Sequence, residues 1–276
     1  MRAAAIQLSS TPDRERNLEV ADRLVRRAAA AGAELVVLPE KWPVLGTPEQ
    51  TAAAAEPVDG ATARWGADLA RELGIDLVAG SFAERVPGGS RGHNTSLHIG
   101  PTGRVRAIYR KIHMFDVEVG GRTYRESEHE APGDEVVLSS TGTGVELGLA
   151  ICYDLRFPEL FRRLAVSGAR VLTLASAFTV ATTREHWEVL LRARAIENQC
   201  FVVAANQVGE HAPGICSGGR SMIVDPWGIV LAQAPDTETF VLADLDLERL
   251  AEVRRLLPSL ANRQPDAYGD GAPVRG

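Results

Sequence analysis

An apolar run that stops at a cysteine constrains this chain more than any other feature. The run extends from Val145 to Ile151, Cys152 follows it, and Pro158 then opens a segment with helical periodicity. A short apolar run bounded by polar residues is typical of a buried strand, and proline is favoured at the first position of a helix. We therefore predict that Cys152 lies at the carboxyl end of a core strand, directly before a helix.

A cysteine in that position has two interpretations. Catalytic groups of α/β sheets gather at the carboxyl ends of strands, and backbone N–H groups near a helix N-terminus favour a thiolate. Most free cysteines, however, are small buried hydrophobic residues without a chemical role. Cys152 alone leaves both interpretations open.

The composition argues against several classes of protein. Of the 276 residues 45% are hydrophobic and 24% charged, which is ordinary for a soluble globular protein. A net charge of −6 with dispersed basic residues argues against nucleic acid as a partner. No apolar run approaches the ~20 residues of a membrane-spanning helix, and we see no signal peptide. Three widely spaced cysteines form no disulfide framework, so we expect a cytoplasmic protein with no membrane partner.

Strand and helix patterns alternate along the chain. Helical periodicity covers Asn17–Ala31, Ala61–Leu73, Pro158–Ser167, Arg184–Gln199 and Leu247–Leu256. Asn17 is the expected N-cap of the first helix, and Lys111–Gly133 and Gly209–Gly219 are predicted to be loops. The alternation indicates a layered α/β fold with some antiparallel strands. We predict a single domain over residues 1–276, in which 258–276 form a surface or interface tail.

Three polar residues come directly after three predicted strands. They are Glu40, Lys111 and Cys152, which only folding can bring together. As a set they suffice for one reaction class: a thiolate attacks a carbonyl or nitrile carbon, a carboxylate takes the thiol proton, and an ammonium stabilises the oxyanion. Simpler explanations stay open for the charged pair, since Glu40 also suits a helix cap after Pro39 and Lys111 suits a solvated basic face.

Three segments resemble the signature motifs of the nitrilase superfamily of carbon–nitrogen hydrolases. They are Leu38-Pro-Glu40, Tyr109-Arg-Lys-Ile-His113 and Ala150-Ile-Cys-Tyr-Asp-Leu-Arg-Phe-Pro-Glu159, in the order that the family shows. Further segments, Ser176-Ala-Phe178 and Ser221-Met-Ile-Val-Asp-Pro-Trp-Gly228 among them, resemble the branch that contains deaminated glutathione amidase and omega-amidase. The resemblance covers almost the whole chain.

The resemblance implies a role for each of these residues. Cys152 is the expected nucleophile, Glu40 the general base and Lys111 the oxyanion stabiliser. Glu126, which precedes a Pro-Gly turn, matches the second active-site glutamate of the family. The implied fold is an α-β-β-α sandwich of the nitrilase type, paired through helices near Arg184–Gln199 into homodimers or larger assemblies. Neither a metal nor another cofactor is expected.

The implied reaction is hydrolysis of the terminal amide of a small carboxylate-bearing 2-oxo acid, giving the acid and ammonia by way of a thioester. A small-molecule amide is therefore the expected partner. The expected substrate-binding residues are Tyr153, Arg156, Phe178 and His186. The guanidinium of Arg156 is predicted to bind a substrate carboxylate with two charge-assisted hydrogen bonds. The alternative is that Arg156 pairs with Asp154 or Glu159 and only shapes the turn.

Other functions remain open at this point. Lys41-Trp-Pro43, Ala181-Thr-Thr-Arg184 and Arg220 depart from the amidase branch, so an aliphatic amidase, an N-carbamoyl amide hydrolase and a nitrilase are alternatives. A hydrolase that pairs cysteine with His113 or His186 is another. A catalytically silent interaction protein on the same fold is a further alternative. A metal-binding protein would use His113, Asp116, Glu118, His129 and Glu130, whose spacing fits no tight ligand motif.

Overall fold

Seven strands form the first of two large sheets in the computed structural model, which describes residues 1–89 and 91–268. They are β1 (Arg2–Gln7), β2 (Leu35–Val37), β3 (Asp76–Val78), β4 (Phe82–Glu84), β5 (His93–Ile99), β6 (Val105–Arg110) and β17 (Thr239–Asp244). The order is β17-β1-β2-β3-β5-β4, with β6 also paired to β5. The strands β1, β2 and β3 are parallel, with Ala3 opposite Leu35 and Leu35 opposite Asp76.

The second sheet has six strands. They are β9 (Leu138–Ser140), β10 (Glu146–Ile151), β11 (Val171–Ser176), β12 (Phe201–Asn206), β15 (Met222–Val224) and β16 (Val230–Gln233). The order is β16-β15-β12-β11-β10-β9, and the central strands β10, β11 and β12 are parallel. Two separate hairpins are formed by β7 (Asp116–Val119) with β8 (Arg122–Arg125) and by β13 (Val208–Ala212) with β14 (Ile215–Gly218).

Helices cover the outer face of each sheet. The α-helices are α1 (Arg14–Ala30), α2 (Pro48–Ala53), α3 (Ala61–Leu73), α4 (Pro158–Val166), α5 (Val180–Thr182), α6 (Glu188–Asn198), α7 (Leu247–Leu256) and α8 (Pro265–Tyr268). The helices α1 and α3 pack on the first sheet, and α4 and α6 pack on the second. A π-helical turn, Thr183–Trp187, joins α5 to α6. The predicted α-β-β-α sandwich is confirmed.

Alternation within a single strand explains how the two sheets come together. Side chains of successive strand residues point to opposite faces. In β1, Ala3 and Ala5 belong to the core between the sheets, whereas Ala4 and Ile6 belong to the core under α1. Because both faces are buried, strands such as β1 are apolar at nearly every position. The small alanine side chains also allow β1 to contact β12 of the other sheet.

The first helix begins one turn earlier than predicted. Asp13, not Asn17, is its N-cap, and the Asp13 carboxylate accepts a hydrogen bond from the Arg16 N–H. Asn17 lies inside the helix, where its side-chain amide donates to the carbonyl oxygens of Thr11 and Pro43. Both residue types suit an N-cap, so the choice depended on contacts with distant segments.

Both segments predicted to be loops contain a hairpin instead. Lys111–Gly133 contains β7 and β8, and Gly209–Gly219 contains most of β13 and β14. The first hairpin turns at Gly120 and Gly121, whose φ angles of +61° and +74° are left-handed. The strands of these hairpins are only four or five residues long and mostly half-buried or exposed, so they lack the apolar alternation that reveals a strand.

The predicted tail is described only in part. Residues 258–267 are mostly exposed, and α8 lies among them, whereas 269–276 fall outside the described residues. The single domain over 1–276 therefore stays a prediction. Across the part of the chain that the structure describes, every helix is too short or too polar to cross a lipid bilayer.

Candidate active site

The ends of strands from both sheets bring three predicted residues into one buried cluster. Glu40 follows β2, Lys111 follows β6 and Cys152 follows β10. The Lys111 Nζ lies 3.0 Å from Glu40 Oε1, and the exposed fractions of Lys111 and Glu40 are 1% and 3%. A buried charge is costly unless it is paired. A solvated face for Lys111 and a helix cap for Glu40 are therefore ruled out.

Glu126 joins the same cluster from the turn that follows β8. Its two carboxylate oxygens lie 2.9 and 2.8 Å from Lys111 Nζ, and Oε2 also accepts a hydrogen bond from the Phe115 N–H at 2.7 Å. Burial alone lowers the pKa of Lys111, but Glu126 and Glu40 raise that pKa well above its ordinary value. The ammonium is therefore held between two carboxylates and stays charged.

The Glu40 carboxylate is oriented from two sides. The Asn94 side-chain amide on β5 donates to Oε1 at 2.8 Å, and the Ala177 N–H donates to Oε2 at 2.9 Å. The backbone is fixed as well, since the side-chain amide of Gln207, directly after β12, donates to the Glu40 carbonyl at 2.9 Å. These contacts leave Glu40 one fixed geometry beside the thiol of Cys152.

Cys152 stands on a strained turn. Its φ of +47° is left-handed, which is unusual for a non-glycine residue and concentrates at functional sites. The fully buried Asp154 holds the turn, because its Oδ2 accepts hydrogen bonds from the Tyr109 hydroxyl at 2.6 Å and from the Ile151 N–H at 2.8 Å. Asp154 Oδ1 contacts His113 Nδ1 at 2.7 Å. The turn is thus anchored to the segment that carries Lys111.

The resting form of the cysteine follows from its surroundings. Burial and the neighbouring Glu40 carboxylate raise the pKa of the Cys152 thiol well above its ordinary value, against the opposing effects of Lys111 and the Ala177 N–H. The sulfur is therefore a thiol at rest, adjacent to a carboxylate base. In such a pair the carboxylate can take the thiol proton as the sulfur attacks an electrophile.

A cavity of about 510 Å³ opens above this cluster. Its floor consists of Glu40, Lys111, Glu126 and Cys152. Its rim includes Tyr153, Arg156, Phe178 and Cys216. Three of the four predicted substrate-binding residues thus line the cavity. The fourth, His186, is exposed on the π-helical turn, where its Nδ1 lies 3.2 Å from both terminal nitrogens of Arg156.

The Arg156 side chain is half-buried, and its guanidinium lies near two aromatic rings. Its guanidinium lies 5.9 Å from the Tyr153 ring centroid and 5.7 Å from that of Phe178. Among the described residues Arg156 forms no ion pair, and Asp154 is instead engaged by Tyr109 and His113. Pairing of Arg156 with a neighbouring carboxylate is therefore not seen, and its positive charge faces the cavity without an anionic partner from the described part of the chain.

Two charged residues of the site were not predicted. Lys41 Nζ lies 3.2 Å from Glu126 Oε1 and 2.9 Å from Glu130 Oε1. The sequence suggests Glu130 only as a ligand of the alternative metal site. One signal in the sequence points to Lys41, because Lys41 and Lys111 are the two lysines of a chain with 30 lysine and arginine residues. Both lysines lie in this cluster.

The structure gives no support to the histidine and metal alternatives. His113 stacks on Phe157, with ring centroids 3.6 Å apart, and pairs with Asp154. Glu130 pairs with Lys41. Within residues 1–89 and 91–268, no group of three or more histidine, cysteine, aspartate or glutamate side chains is arranged to hold a metal ion. The absence of any cofactor stays a prediction.

Comparisons with known proteins agree with this geometry. The profile of the carbon–nitrogen hydrolase family matches residues 2–255. A deaminated glutathione amidase from Bos taurus is 43% identical over 272 residues, which cover 97% of this chain and 83% of that protein. An omega-amidase from Xenopus tropicalis is 37% identical over 268 residues, which cover 97% and 96%. The Caenorhabditis elegans NitFhit crystal structure superposes with a TM-score of 0.90 at 39% identity, over 97% of this chain and 66% of that one.

The fold and the site define a hydrolase with an α-β-β-α sandwich and a buried cysteine between a carboxylate and an ammonium. The chain belongs to the carbon–nitrogen hydrolase family, and it is a hydrolase of carbon–nitrogen bonds. The resemblance to the nitrilase superfamily, and to its branch of deaminated glutathione amidases and omega-amidases, is confirmed.

Proposed function

We propose that this chain cleaves the terminal amide of a small carboxylate-bearing 2-oxo acid to the acid and ammonia, by way of a thioester on Cys152. One observation carries the proposal: Lys111 Nζ lies within 3.0 Å of both Glu40 and Glu126, beside the buried thiol. The similarity to deaminated glutathione amidase and omega-amidase supports an amide of this class as the substrate.

Acylation uses three groups of the floor. Glu40 takes the proton of the Cys152 thiol as the sulfur attacks the amide carbon, so that a C–S bond forms and the carbonyl oxygen becomes an oxyanion. Lys111 Nζ, kept charged by its two carboxylates, stabilises that oxyanion. Glu40 then passes its proton to the nitrogen, the C–N bond breaks, and ammonia leaves a thioester behind.

Deacylation repeats these roles with water in place of the thiol. Glu40 removes a proton from the water as its oxygen attacks the thioester carbon, and Lys111 again stabilises the oxyanion. The C–S bond breaks, the acid is released, and the sulfur recovers its proton from Glu40. The two steps return every group of the floor to its starting state, so neither a metal nor a redox cofactor enters the balance.

The rim suits the acid end of the substrate. The Arg156 guanidinium presents a planar fork of donors beside the faces of Tyr153 and Phe178. The Nδ1 atom of the exposed His186 contacts the same guanidinium. A carboxylate or 2-oxo acid remote from the scissile amide matches that fork. The substrate then lies with its amide on the floor and its carboxylate at Arg156.

A substrate screen tests the proposal. Purified protein is incubated with a panel of ω-amides of 2-oxo acids, neutral aliphatic amides, N-carbamoyl compounds and nitriles, and the products and ammonia are measured by liquid chromatography and mass spectrometry. We expect carboxylate-bearing amides to be cleaved with the highest kcat/KM, and activity to survive dialysis against EDTA. Faster turnover of nitriles or N-carbamoyl compounds would assign one of the other activities, and strict dependence on added Zn²⁺ would contradict the mechanism.

We also infer a homodimer that pairs through α6. The outer face of α6 and the neighbouring β15–β16 turn expose large apolar side chains, with exposed fractions of 67% for Val189, 48% for Ile196, 50% for Trp227 and 53% for Ile229. Exposed apolar groups clustered on one face are typical of an interface. Light scattering after gel filtration tests this inference, and Val189→Glu with Ile196→Glu should give monomers. A monomeric wild type would contradict it.

A cytoplasmic location is the third inference. Cys152, Cys200 and Cys216 are all free thiols, which suits a reducing compartment. Cell fractionation of the producing organism, with the protein detected by antibody, tests this location. Recovery of the protein outside the cytoplasmic fraction would contradict it.

A further inference from the structure

Lys41 occupies a backbone position that does not favour a lysine. It directly follows Glu40 with φ of +49°, in the left-handed region where glycine is the usual residue. Its N–H donates to Ser81 Oγ at 3.0 Å, which holds the turn. The side chain is 16% exposed and lines the cavity. A strained position that keeps a long charged side chain next to the catalytic base points to a function for that charge.

The choice of lysine is itself informative. Lys41 and Lys111 are the two lysines among 30 lysine and arginine residues, and both bind Glu126. Lysine carries a compact ammonium with three donors, whereas arginine carries a planar fork, so the two are not equivalent where a charge must sit between carboxylates. Among the 30 lysine and arginine residues of this chain, the ammonium therefore occurs at these two positions, and both lie in the cluster.

Charges alternate along a chain of five side chains. The order is Glu130, Lys41, Glu126, Lys111 and Glu40, with successive ion pairs of 2.9, 3.2, 2.8 and 3.0 Å. Burial, opposed by Lys41, raises the pKa of Glu130 to about 7. Burial also opposes ionisation of Glu126, yet Lys111 and Lys41 hold the pKa of that carboxylate well below its usual range. Asp116 on β7 is a further charged group close enough to Glu126 for the two carboxylates to interact.

We propose that Lys41 is a positioning residue, which bridges Glu126 and Glu130 and so holds the Glu126 carboxylate against Lys111 Nζ. Without Lys41, Glu126 loses one of its two cations, so that Lys111 keeps Glu40 as a fixed partner but is held less firmly by Glu126 on its other side. Lys41 touches no reacting atom in this scheme. The role rests on the proposed function, because it assumes that Lys111 stabilises an oxyanion on the substrate of Cys152.

Three variants and one control test the role. The variants are Lys41→Met, which removes the charge, Lys41→Arg, which keeps it, and Glu130→Gln. The control is Arg14→Met, which breaks the 3.2 Å ion pair of Arg14 with Glu56, two residues that do not line the cavity. Two readouts are followed against pH: kcat and KM for an amide that the wild type cleaves, and the rate at which iodoacetamide alkylates Cys152, measured by peptide mass spectrometry.

The expected results separate positioning from mere stability. Lys41→Met should lower kcat by about tenfold to a hundredfold and change KM by less than about twofold. It should also move the acid limb of activity and the alkylation profile to higher pH, since loss of a cation raises the pKa of nearby acids. Lys41→Arg should leave both pH profiles in place while kcat stays lowered. Glu130→Gln should lower kcat less than Lys41→Met, because the amide oxygen still accepts from Lys41.

Several results would overturn the proposal. The proposal fails if Lys41→Met keeps the wild-type kcat and pH profiles. It also fails if a lower melting temperature is the only change in Lys41→Met, as we expect for Arg14→Met. If Lys41→Met does not fold, an unchanged kcat in both Lys41→Arg and Glu130→Gln would likewise overturn the proposal. The alkylation profile needs no substrate, so a shift there, with none of the amides cleaved, would keep the positioning role and refute the proposed function instead.

Discussion

The floor and the rim of the cavity differ in how their charges are satisfied. On the floor, Glu40 and Glu126 both pair with Lys111 at 3.0 Å or less, and each of these residues comes from the end of a strand or the turn after one. On the rim, the Arg156 guanidinium lies near two aromatic rings and has no anionic partner among the described residues. A satisfied cluster holds one geometry, whereas an unpaired guanidinium is free to bind an anion. This difference supports our proposal that the floor carries the chemistry and the rim selects the substrate.

Exchanging one cysteine in each region gives the largest expected contrast. Cys152→Ala removes the proposed nucleophile on the floor and should lower kcat by about 10⁴-fold or more. Cys216→Ser changes a half-buried cysteine on the rim and should keep most of the activity. Steady-state ammonia release from both variants, with the thioester sought by intact-mass spectrometry, checks the prediction. Substantial activity in Cys152→Ala would remove the basis for the floor's role.

A second contrast separates two glutamates of the same turn. Glu126→Gln keeps the shape of the side chain but removes the carboxylate that orients Lys111, and kcat should fall by about a hundredfold. Glu128 lies two residues further on and is exposed, so Glu128→Gln should leave kcat within about twofold. Parallel kinetics of the two variants test the assignment, and equal losses would show that the turn, not the Glu126 charge, matters.

The sequence predicted the floor better than it predicted the surroundings. Glu40, Lys111 and Cys152 each follow a buried apolar strand, and that pattern is local. Glu126 lies where no periodicity exists, so only the family resemblance identified it. The sequence predicts no role for Lys41, because its contacts depend on a left-handed turn and on a carboxylate 85 residues away.

Elements of the fold that depend on the local sequence were likewise predicted better than those that depend on contacts with distant residues. The amphipathic helices Ala61–Leu73 and Leu247–Leu256 were predicted at their observed bounds. The six-residue helix Pro48–Ala53 was missed, although Thr47 and Gln50 form a capping box at its start. The sequence pattern predicts loops where the hairpins β7–β8 and β13–β14 form, because their short strands have too little apolar alternation to indicate a strand.

Arg156→Lys probes the rim with a smaller expected effect. Lysine keeps the charge but loses the fork, so kcat/KM for carboxylate-bearing amides should fall by an amount equivalent to roughly 1.5–3 kcal/mol. Neutral amides should be affected far less, because they lack the group that the fork binds. Comparing KM for both substrate classes checks this. An equal loss for both classes, together with a lower melting temperature, would show Arg156 to be structural.

The smallest expected effect concerns Glu130, which lines the cavity and pairs with Lys41. Its pKa in the folded protein is raised from 4.5 to about 7 by burial, so between these values the folded state binds more protons than the unfolded state. The free energy of unfolding therefore falls as pH rises through this window. Glu130→Gln cannot ionise, and between pH 6 and pH 8 the wild type should lose about 1 kcal/mol relative to that variant.

Urea unfolding of both proteins at pH 6, 7 and 8 measures this difference directly. The comparison between proteins cancels the titration of every group that they share, because only Glu130 differs. A wild type that gains stability relative to Glu130→Gln as pH rises would mean that Lys41 outweighs burial at this carboxylate. Glu130 would then be a fully ionised member of the alternating chain, with its charge as firmly held as that of Glu126, and it would belong to the floor.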